Sequence, residues 1–178
     1  AVAGTHGKTT TTSMISEILL KAETDPTLSI GGILKTIGGN IRIGHSEYFV
    51  TEACEYTNSF LSFFPKIGII LNVEEDHLDF FKDIYDIRNS FHRFAALLPA
   101  DGTLIINGDI PELETITAGL ACRVITYGSS EFFDYHAEAV TYNEMGCASF
   151  LLCRRDGSKL PVTLGVPGKH NIDNAMAA

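Results

Sequence analysis

At 178 residues, 45% hydrophobic and 20% charged, the chain has the mix of an ordinary globular domain with room for one proper core. Its formal net charge of −9 argues against general nucleic-acid or anionic-membrane binding, which wants basic surface, but leaves room for a small anion in a locally positive pocket. No apolar run is long enough for a membrane span or a signal peptide. Cys54, Cys122, Cys147 and Cys153 have neither CxxC nor zinc-type spacing and read as buried free thiols, so a cytoplasmic location is expected.

In chain order, Ala1 to Ala3 reads as the tail of a strand. A loop, Gly4-Thr5-His6-Gly7, leads to a helix from Lys8 to about Ala22 with Ile15, Ile18, Leu19 and Ala22 on one face. Gly31-Gly32 and Gly38-Gly39, set between β-rich runs, predict a hairpin within 30–50. "YFVTEA" (48–53) and "KIGIILN" (66–72) read as strands, the second nearly all apolar as for a parallel strand covered on both faces. A helix is expected from about Asp83, its cap, to Leu98, with Ile84, Ile87, Phe91, Phe94 and Leu98 at helical spacing. "TLIIN" (103–107) and "RVITY" (123–127) are further strands, with a short helix from near Pro111 between them.

From about His136 to Val166, three strand-like runs joined by turn signals predict a small antiparallel β subdomain, and "NAMAA" reads as the opening of a last helix. The fold expected is α/β: a mostly parallel sheet of the phosphate-loop type, flanked by helices, with the antiparallel part near the C-terminus. The apolar start and the helix opening at residue 178 suggest a single domain cut from a longer protein.

In an open α/β sheet, ligands bind beyond the carboxyl ends of the strands, and four strand ends here carry suitable groups. After the first strand, Gly4 and Gly7 let backbone N–H groups turn toward phosphate, and the helix N-terminus adds partial positive charge. Lys8 is a point charge for β- and γ-phosphates, the Thr9 hydroxyl can ligate Mg²⁺, and Thr10 is a further phosphate contact. The general phosphate-loop pattern would place another glycine at Val2, so the match is imperfect. Thr11 and Thr12 read as packing or solvent positions.

Glu52 ends the second strand run and is the first candidate for a further Mg²⁺ contact, with Glu55 one turn on and weaker. His77, in "NVEEDHLD", follows a buried strand among acids and could bind a metal through neutral imidazole. Asn107 and Asp109 end another strand. His170, Asn171 and Asn174 gather at the start of the last helix. The two asparagines share a face at i, i+3 spacing and could read adenine, although Asn171 could instead cap the helix. His92 reads as a partly exposed helical histidine.

Together "GTHGKTTT", "TEACEYTNSFL", "NVEEDHLD", "NGD" and "GKHNIDNAMAA" resemble the central ATP-binding domain of the Mur ligases, in the family's order and across essentially the whole chain. The phosphate loop of that family is shorter than the general pattern, which makes Val2 a strand residue and Gly4 the turning glycine. "GTHGKT" looks most like the alanine-adding branch, which joins L-alanine to UDP-N-acetylmuramate through an acyl phosphate.

The resemblance implies ATP and Mg²⁺. Gly4, Thr5, His6, Gly7, Lys8, Thr9 and Thr10 would contact nucleotide, as would Asn107 and Asp109. Thr9, Glu52 and His77 would ligate metal, with Lys8, Glu52 and His77 forming the catalytic set. Asn171 and Asn174 would read adenine, and His170 would lie against base or ribose. Several family members carry a carbamylated lysine fifteen residues past the "DH" histidine; this sequence has His92 there, and the alanine-adding branch is expected to lack that lysine. The implied neighbours, a UDP-sugar domain before and an amino-acid-contributing domain after, lie outside these residues. The alternatives are a recycling ligase that attaches a preformed tripeptide to UDP-N-acetylmuramate, and a nucleotide-binding module without ligase activity.

Overall fold

The computed structural model describes all 178 residues. The chain enters through β1 (Val2–Ala3) and turns into α1 (Lys8–Lys21). A hairpin follows, β2 (Thr27–Leu34) and β3 (Gly39–Arg42), then the short β4 (Phe49–Thr51). Next come β5 (Ile67–Ile70), α2 (Ile84–Ala95), β6 (Thr103–Asn107), α3 (Glu114–Thr117) and β7 (Arg123–Gly128). Three longer strands, β8 (Tyr135–Tyr142), β9 (Cys147–Arg154) and β10 (Lys159–Pro167), lead to α4 (His170–Ala177).

The main sheet has seven strands in the order β1-β5-β6-β7-β8-β9-β10. Pairing is parallel from β1 to β8 and antiparallel from β8 to β10. The apolar runs of the parallel strands serve both faces at once. Ala3, Ile70, Leu104 and Ile106 turn to one side and pack with Phe60, Ile87, Phe91 and Phe94. Val2, Ile69 and Leu71 turn to the other and pack with Tyr127, Ile172 and Met176 of the β7–α4 layer. This alternation is the period of two expected of a strand buried on both faces. On the first side, the Phe60 and Phe94 rings stack at 4.9 Å and the Phe91 ring meets Phe60 edge-on at 5.3 Å. Asp83 caps α2 as expected, its carboxylate accepting the Asp86 N–H at 2.9 Å.

Three expectations need correction. The strand within 48–53 joins the hairpin in a separate three-stranded sheet, β3-β2-β4, and touches the main sheet through a single Val2–Glu52 bridge. Phe49, Val50 and Thr51 pair with β2, and beyond Thr51 the chain leaves the sheet and carries Glu52 and Glu55 toward Thr9 and Lys8. The antiparallel strands are present, but they continue the parallel sheet through Tyr127–Tyr135 and Gly128–His136 pairing; β10 is the outer edge, its ladder irregular between Thr163 and Pro167.

The third correction concerns α1. Ile18 is 54% exposed, and the fully buried residues are Thr11, Thr12 and Ser16. Small side chains let the helix sit close to the sheet, Ile15 and Leu19 cover the hairpin sheet, and Ile18 is left outside. Cys122, Cys147 and Cys153 are buried thiols as expected, whereas Cys54 is exposed because it lies on the turn after β4.

Candidate functional site

The chain has four residues in which to turn from β1 into α1. Gly4 (φ 142°) and Gly7 (φ 86°) take backbone conformations that L side chains rarely adopt. Both also lie in tight places: a Cβ on Gly4 would stand 3.0 Å from the Leu71 Cβ, and one on Gly7 2.5 Å from the Asn174 Oδ1. The buried Thr5 accepts the Glu74 N–H on its hydroxyl at 3.1 Å. The His6 N–H donates to the Asn72 Oδ1 at 2.7 Å, and the Asn72 side-chain amide donates to the His6 carbonyl at 3.0 Å. The His6 ring itself stands exposed, 3.9 Å from Glu74. The loop is thus clamped to the end of β5. No side chain caps α1, so its first N–H groups point free toward the loop.

Five charged or polar side chains converge under that loop: Lys8, Thr9, Glu52, Glu55 and His77. The Lys8 ammonium donates to the Gly4 carbonyl at 2.5 Å and to Glu55 at 3.0 and 3.3 Å. Glu55 is 2% exposed. The Thr9 hydroxyl donates to the Glu52 Oε2 at 3.1 Å, and the Gly31 N–H to the Glu52 Oε1 at 2.5 Å. The His77 Nε2 lies 4.0 Å from the Glu55 Oε1. His77 has φ 51°, a left-handed conformation rare outside glycine, and its ring lies 4.6 Å from that of Tyr56, whose hydroxyl donates to Asp79 at 3.0 Å. Thr10 lies in the first turn of α1, half-buried.

Beside the loop opens a polar cleft of about 400 Å³ lined by His6, Gly7, Asn72, Asn107, His170 and Asn174, with Glu74, Tyr127 and Asp173. Burial, followed by the charge of Asp109, raises the Asp173 carboxyl above its ordinary value. Burial chiefly, with Asp173 and Asp109 after it, raises the Tyr127 phenol, whose hydroxyl has no partner. Asn174 meets the cleft and Asn171 lies behind it: the Asn174 amide donates to the Asn171 Oδ1 at 2.9 Å, and the Asn171 amide to the Pro167 carbonyl at 2.8 Å. The Asn107 Oδ1 accepts the Asp109 N–H at 2.9 Å, and both Asp109 oxygens hold Ser129, each at 2.7 Å. A larger hollow of about 710 Å³ opens beside Ala1, Ile67 and Ala178, at the opposite ends of the strands. It is apolar, and the chemistry lies in the smaller cleft.

The structure therefore brings Gly4, Thr5, Gly7, Lys8, Thr9, Glu52 and His77 together, with His6, Asn107, His170 and Asn174 around the adjoining cleft. Asn171 and Asp109 stand one layer back. In the sequence Glu55 is marked only by its spacing from Glu52, and Gly31 and Gly32 only as hairpin residues, with no sign of a place in the site. A Cβ on Gly31 would lie 2.7 Å from the Glu52 Oε2, and one on Gly32 3.1 Å from the Thr9 Cγ2, so the glycine pair lets the hairpin lie against the metal-type residues. Tyr127 lies in no motif, and Asp173, although inside "GKHNIDNAMAA", is given no role by the sequence. His92 turns to α3, its Nδ1 2.9 Å from the Ile116 carbonyl. Elsewhere, His136, Glu138 and Cys153 approach one another on β8 and β9, but Lys159 sits 2.6 Å from the Glu138 carboxylate and already supplies its positive charge.

The arrangement suits a magnesium-bound nucleotide. A lysine sits at a helix N-terminus with free N–H groups, and a hydroxyl and a carboxylate converge at 3.1 Å, a hard-oxygen pair for Mg²⁺. Known proteins resemble the chain along its whole length. The sequence profile of the Mur ligase middle domain matches residues 2–178. The UDP-N-acetylmuramate–L-alanine ligase of Agathobacter rectalis is 60% identical over 178 residues, 100% of this chain and 39% of that protein. Among solved structures, the UDP-N-acetylmuramate:L-alanyl-γ-D-glutamyl-meso-diaminopimelate ligase from Neisseria meningitides aligns with TM-score 0.86 at 31% identity, over 99% of this chain and 58% of that one. The UDP-N-acetylmuramate–alanine ligase from Thermotoga maritima aligns with TM-score 0.83 at 27% identity, over 99% and 39%. The chain thus spans about two fifths of the length of the curated relatives it matches.

Proposed function

Since the chain belongs to the Mur ligases, whose middle domain it matches, we propose that it supplies the ATP- and Mg²⁺-binding centre of a cytoplasmic ligase that joins L-alanine to UDP-N-acetylmuramate. The observation that carries this reading is the convergence of the Lys8 loop with the Thr9–Glu52 pair beside the His170–Asn174 cleft. Relatives that are 49–60% identical are L-alanine ligases, which favours L-alanine over a tripeptide as the added group.

In this proposal the loop N–H groups and the start of α1 hold the phosphates, and Lys8 neutralises charge that builds on the transferring phosphoryl group. Thr9 and Glu52 would hold Mg²⁺, which when bound spreads that charge over the phosphate oxygens. Glu52 is fixed for this by the Gly31 N–H. His77 would face a further cation. Asn174 and His170 would line the base and ribose end, with Asn171 fixing the Asn174 amide. The muramic acid carboxylate would attack the γ-phosphate, and L-alanine would displace phosphate from the acyl phosphate, each delivered by domains outside these residues. The isolated chain is therefore expected to bind nucleotide without making an amide bond.

The test is ADP release by the full-length protein given ATP, Mg²⁺, UDP-N-acetylmuramate and either L-alanine or the tripeptide. ADP release should require UDP-N-acetylmuramate and L-alanine together, and Lys8→Met should lower kcat by on the order of 100-fold or more. Release that ignores both co-substrates, or that favours the tripeptide, overturns the proposal.

A further inference from the structure

Two groups of the polar cleft have no partner in the chain. The Tyr127 hydroxyl belongs to a residue only 1% exposed and bonds to nothing. The Asp173 carboxylate, half-buried in the first turn of α4, accepts no hydrogen bond. Both line the same cleft, yet they do not bond to each other. Buried polar groups are normally satisfied, so two orphans in one cleft call for a reason.

Their neighbours do not supply it. Asn72 is spent on His6, and the Asn107 Oδ1 on the Asp109 N–H. Asp109 gives both oxygens to Ser129, and the Asn174 amide donates to Asn171. Lys169 and His170 pull the Asp173 carboxyl down, but burial and then Asp109 push it up by more. Burial also raises the Tyr127 phenol, which therefore keeps its proton and can donate. The cleft thus presents a carboxylate that only accepts together with a hydroxyl that donates.

The edge of adenine is the complement of that pair. Its exocyclic amine donates, and a ring nitrogen next to it accepts. A 6-oxo purine keeps a ring acceptor but replaces the amine with an oxygen that only accepts. We infer that Asp173 and Tyr127 set the base preference of the cleft: the carboxylate accepts from the 6-amino group, the hydroxyl donates to a ring nitrogen, and a 6-oxo base is refused because its oxygen meets the carboxylate. Asp173 carries the choice, and Tyr127 adds affinity for either base. This rests on the nucleotide reading above and extends it to two residues that the reading leaves without a role.

The experiment is calorimetric titration of the full-length protein with ADP and with inosine diphosphate, both with Mg²⁺. The unaltered protein should bind ADP about 100-fold tighter than inosine diphosphate, since a site built to pair one polar group rejects its mismatch strongly. In Asp173→Asn the amide can donate to the 6-oxo group, so inosine diphosphate should tighten and the ratio should fall below about fivefold. Asp173→Ala removes the repulsion without a new donor and should bring the ratio below about tenfold, which keeps the test decisive if the asparagine variant fails to fold. Tyr127→Phe should weaken both nucleotides alike, by about fivefold, and leave the ratio near its unaltered value. Titration with 2′-deoxy-ADP separates base from sugar: its penalty should be the same with and without the Asp173 carboxylate. A deoxy penalty that vanishes in Asp173→Asn puts the carboxylate on the ribose and overturns the assignment. A base ratio unchanged by both Asp173 variants overturns it too, and in either case the nucleotide reading stands. Failure of the unaltered protein to bind ADP overturns both.

Discussion

Gly7 joins the phosphate loop to the last helix, and Gly7→Ala tests that joint. Two costs arise. At φ 86° an alanine sits in the left-handed region, at about 1–2 kcal/mol. Its Cβ would also lie 2.5 Å from the Asn174 Oδ1, so the amide must move. Asn174 is 5% exposed and bonded to Asn171, so moving it breaks a buried hydrogen bond of about 1 kcal/mol. The sum is a loss of about 2–3 kcal/mol. Gly38→Ala is the control: φ is 67° and nothing lies within 4 Å of its Cβ, so only the conformational cost of about 1–2 kcal/mol remains. Urea unfolding followed by far-ultraviolet circular dichroism measures both. In the double variant Gly7→Ala/Asn174→Ala the clash is gone, and a favourable coupling of about 1 kcal/mol is expected. If Gly7→Ala costs no more than Gly38→Ala, or if Asn174→Ala gives no relief, the loop and α4 are not packed as described.

Gly31→Ala carries no backbone strain, but its Cβ would press on the Glu52 carboxylate; calorimetry with Mg²⁺–ADP should show affinity lowered about tenfold, with the melting temperature little changed. Asp25 is held at a pKa of about 2, against the usual 3.8, first by its hydrogen bond to Arg42 and then by His45. A carboxyl depressed on folding contributes stability that is fully present above 3.8 and is lost as pH falls through about 2. Carboxyl carbon NMR should therefore show an Asp25 midpoint near 2, moved up toward 3.8 by Arg42→Ala. Phe60→Ala empties the centre of the Phe91–Phe94 stack and should cost about 3–5 kcal/mol in the same urea assay.

The parts of the fold legible in the sequence were those fixed by local pattern. The apolar runs at 67–70 and 103–107 announce doubly covered strands, and Asp83 with its 3.6-residue stripe announces the start of α2, although the helix ends at Ala95, short of the expected Leu98. What escaped depends on partners distant in sequence. Residues 48–53 read as a strand, but nothing local says that they pair with β2 instead of entering the main sheet. Helix α1 was misread because its apolar residues suggested a buried face, while closeness to the sheet selected Thr11, Thr12 and Ser16.

The candidate site divides the same way. Lys8 and Thr9 are adjacent to glycines that mark them. Glu55 is marked only by burial against a residue 47 positions earlier in the chain. Asn171 and Asn174 were rightly placed on one face, but only the structure shows their mutual bond and one of them standing behind the other.

The outer strand of the main sheet has a bearing on how the molecule behaves in company. An exposed, regular edge nine residues long would be a template for strands of other molecules. β10 offers little to such a visitor. Pro161 and Pro167 have no N–H to donate, the ladder loses its register between Thr163 and Pro167, and the strand opens on the charge of Lys159. By this reckoning the sheet ends there by its own chemistry. Replacing both prolines with β-branched residues would leave the fold's interior untouched and convert a quiet border into a sticky one.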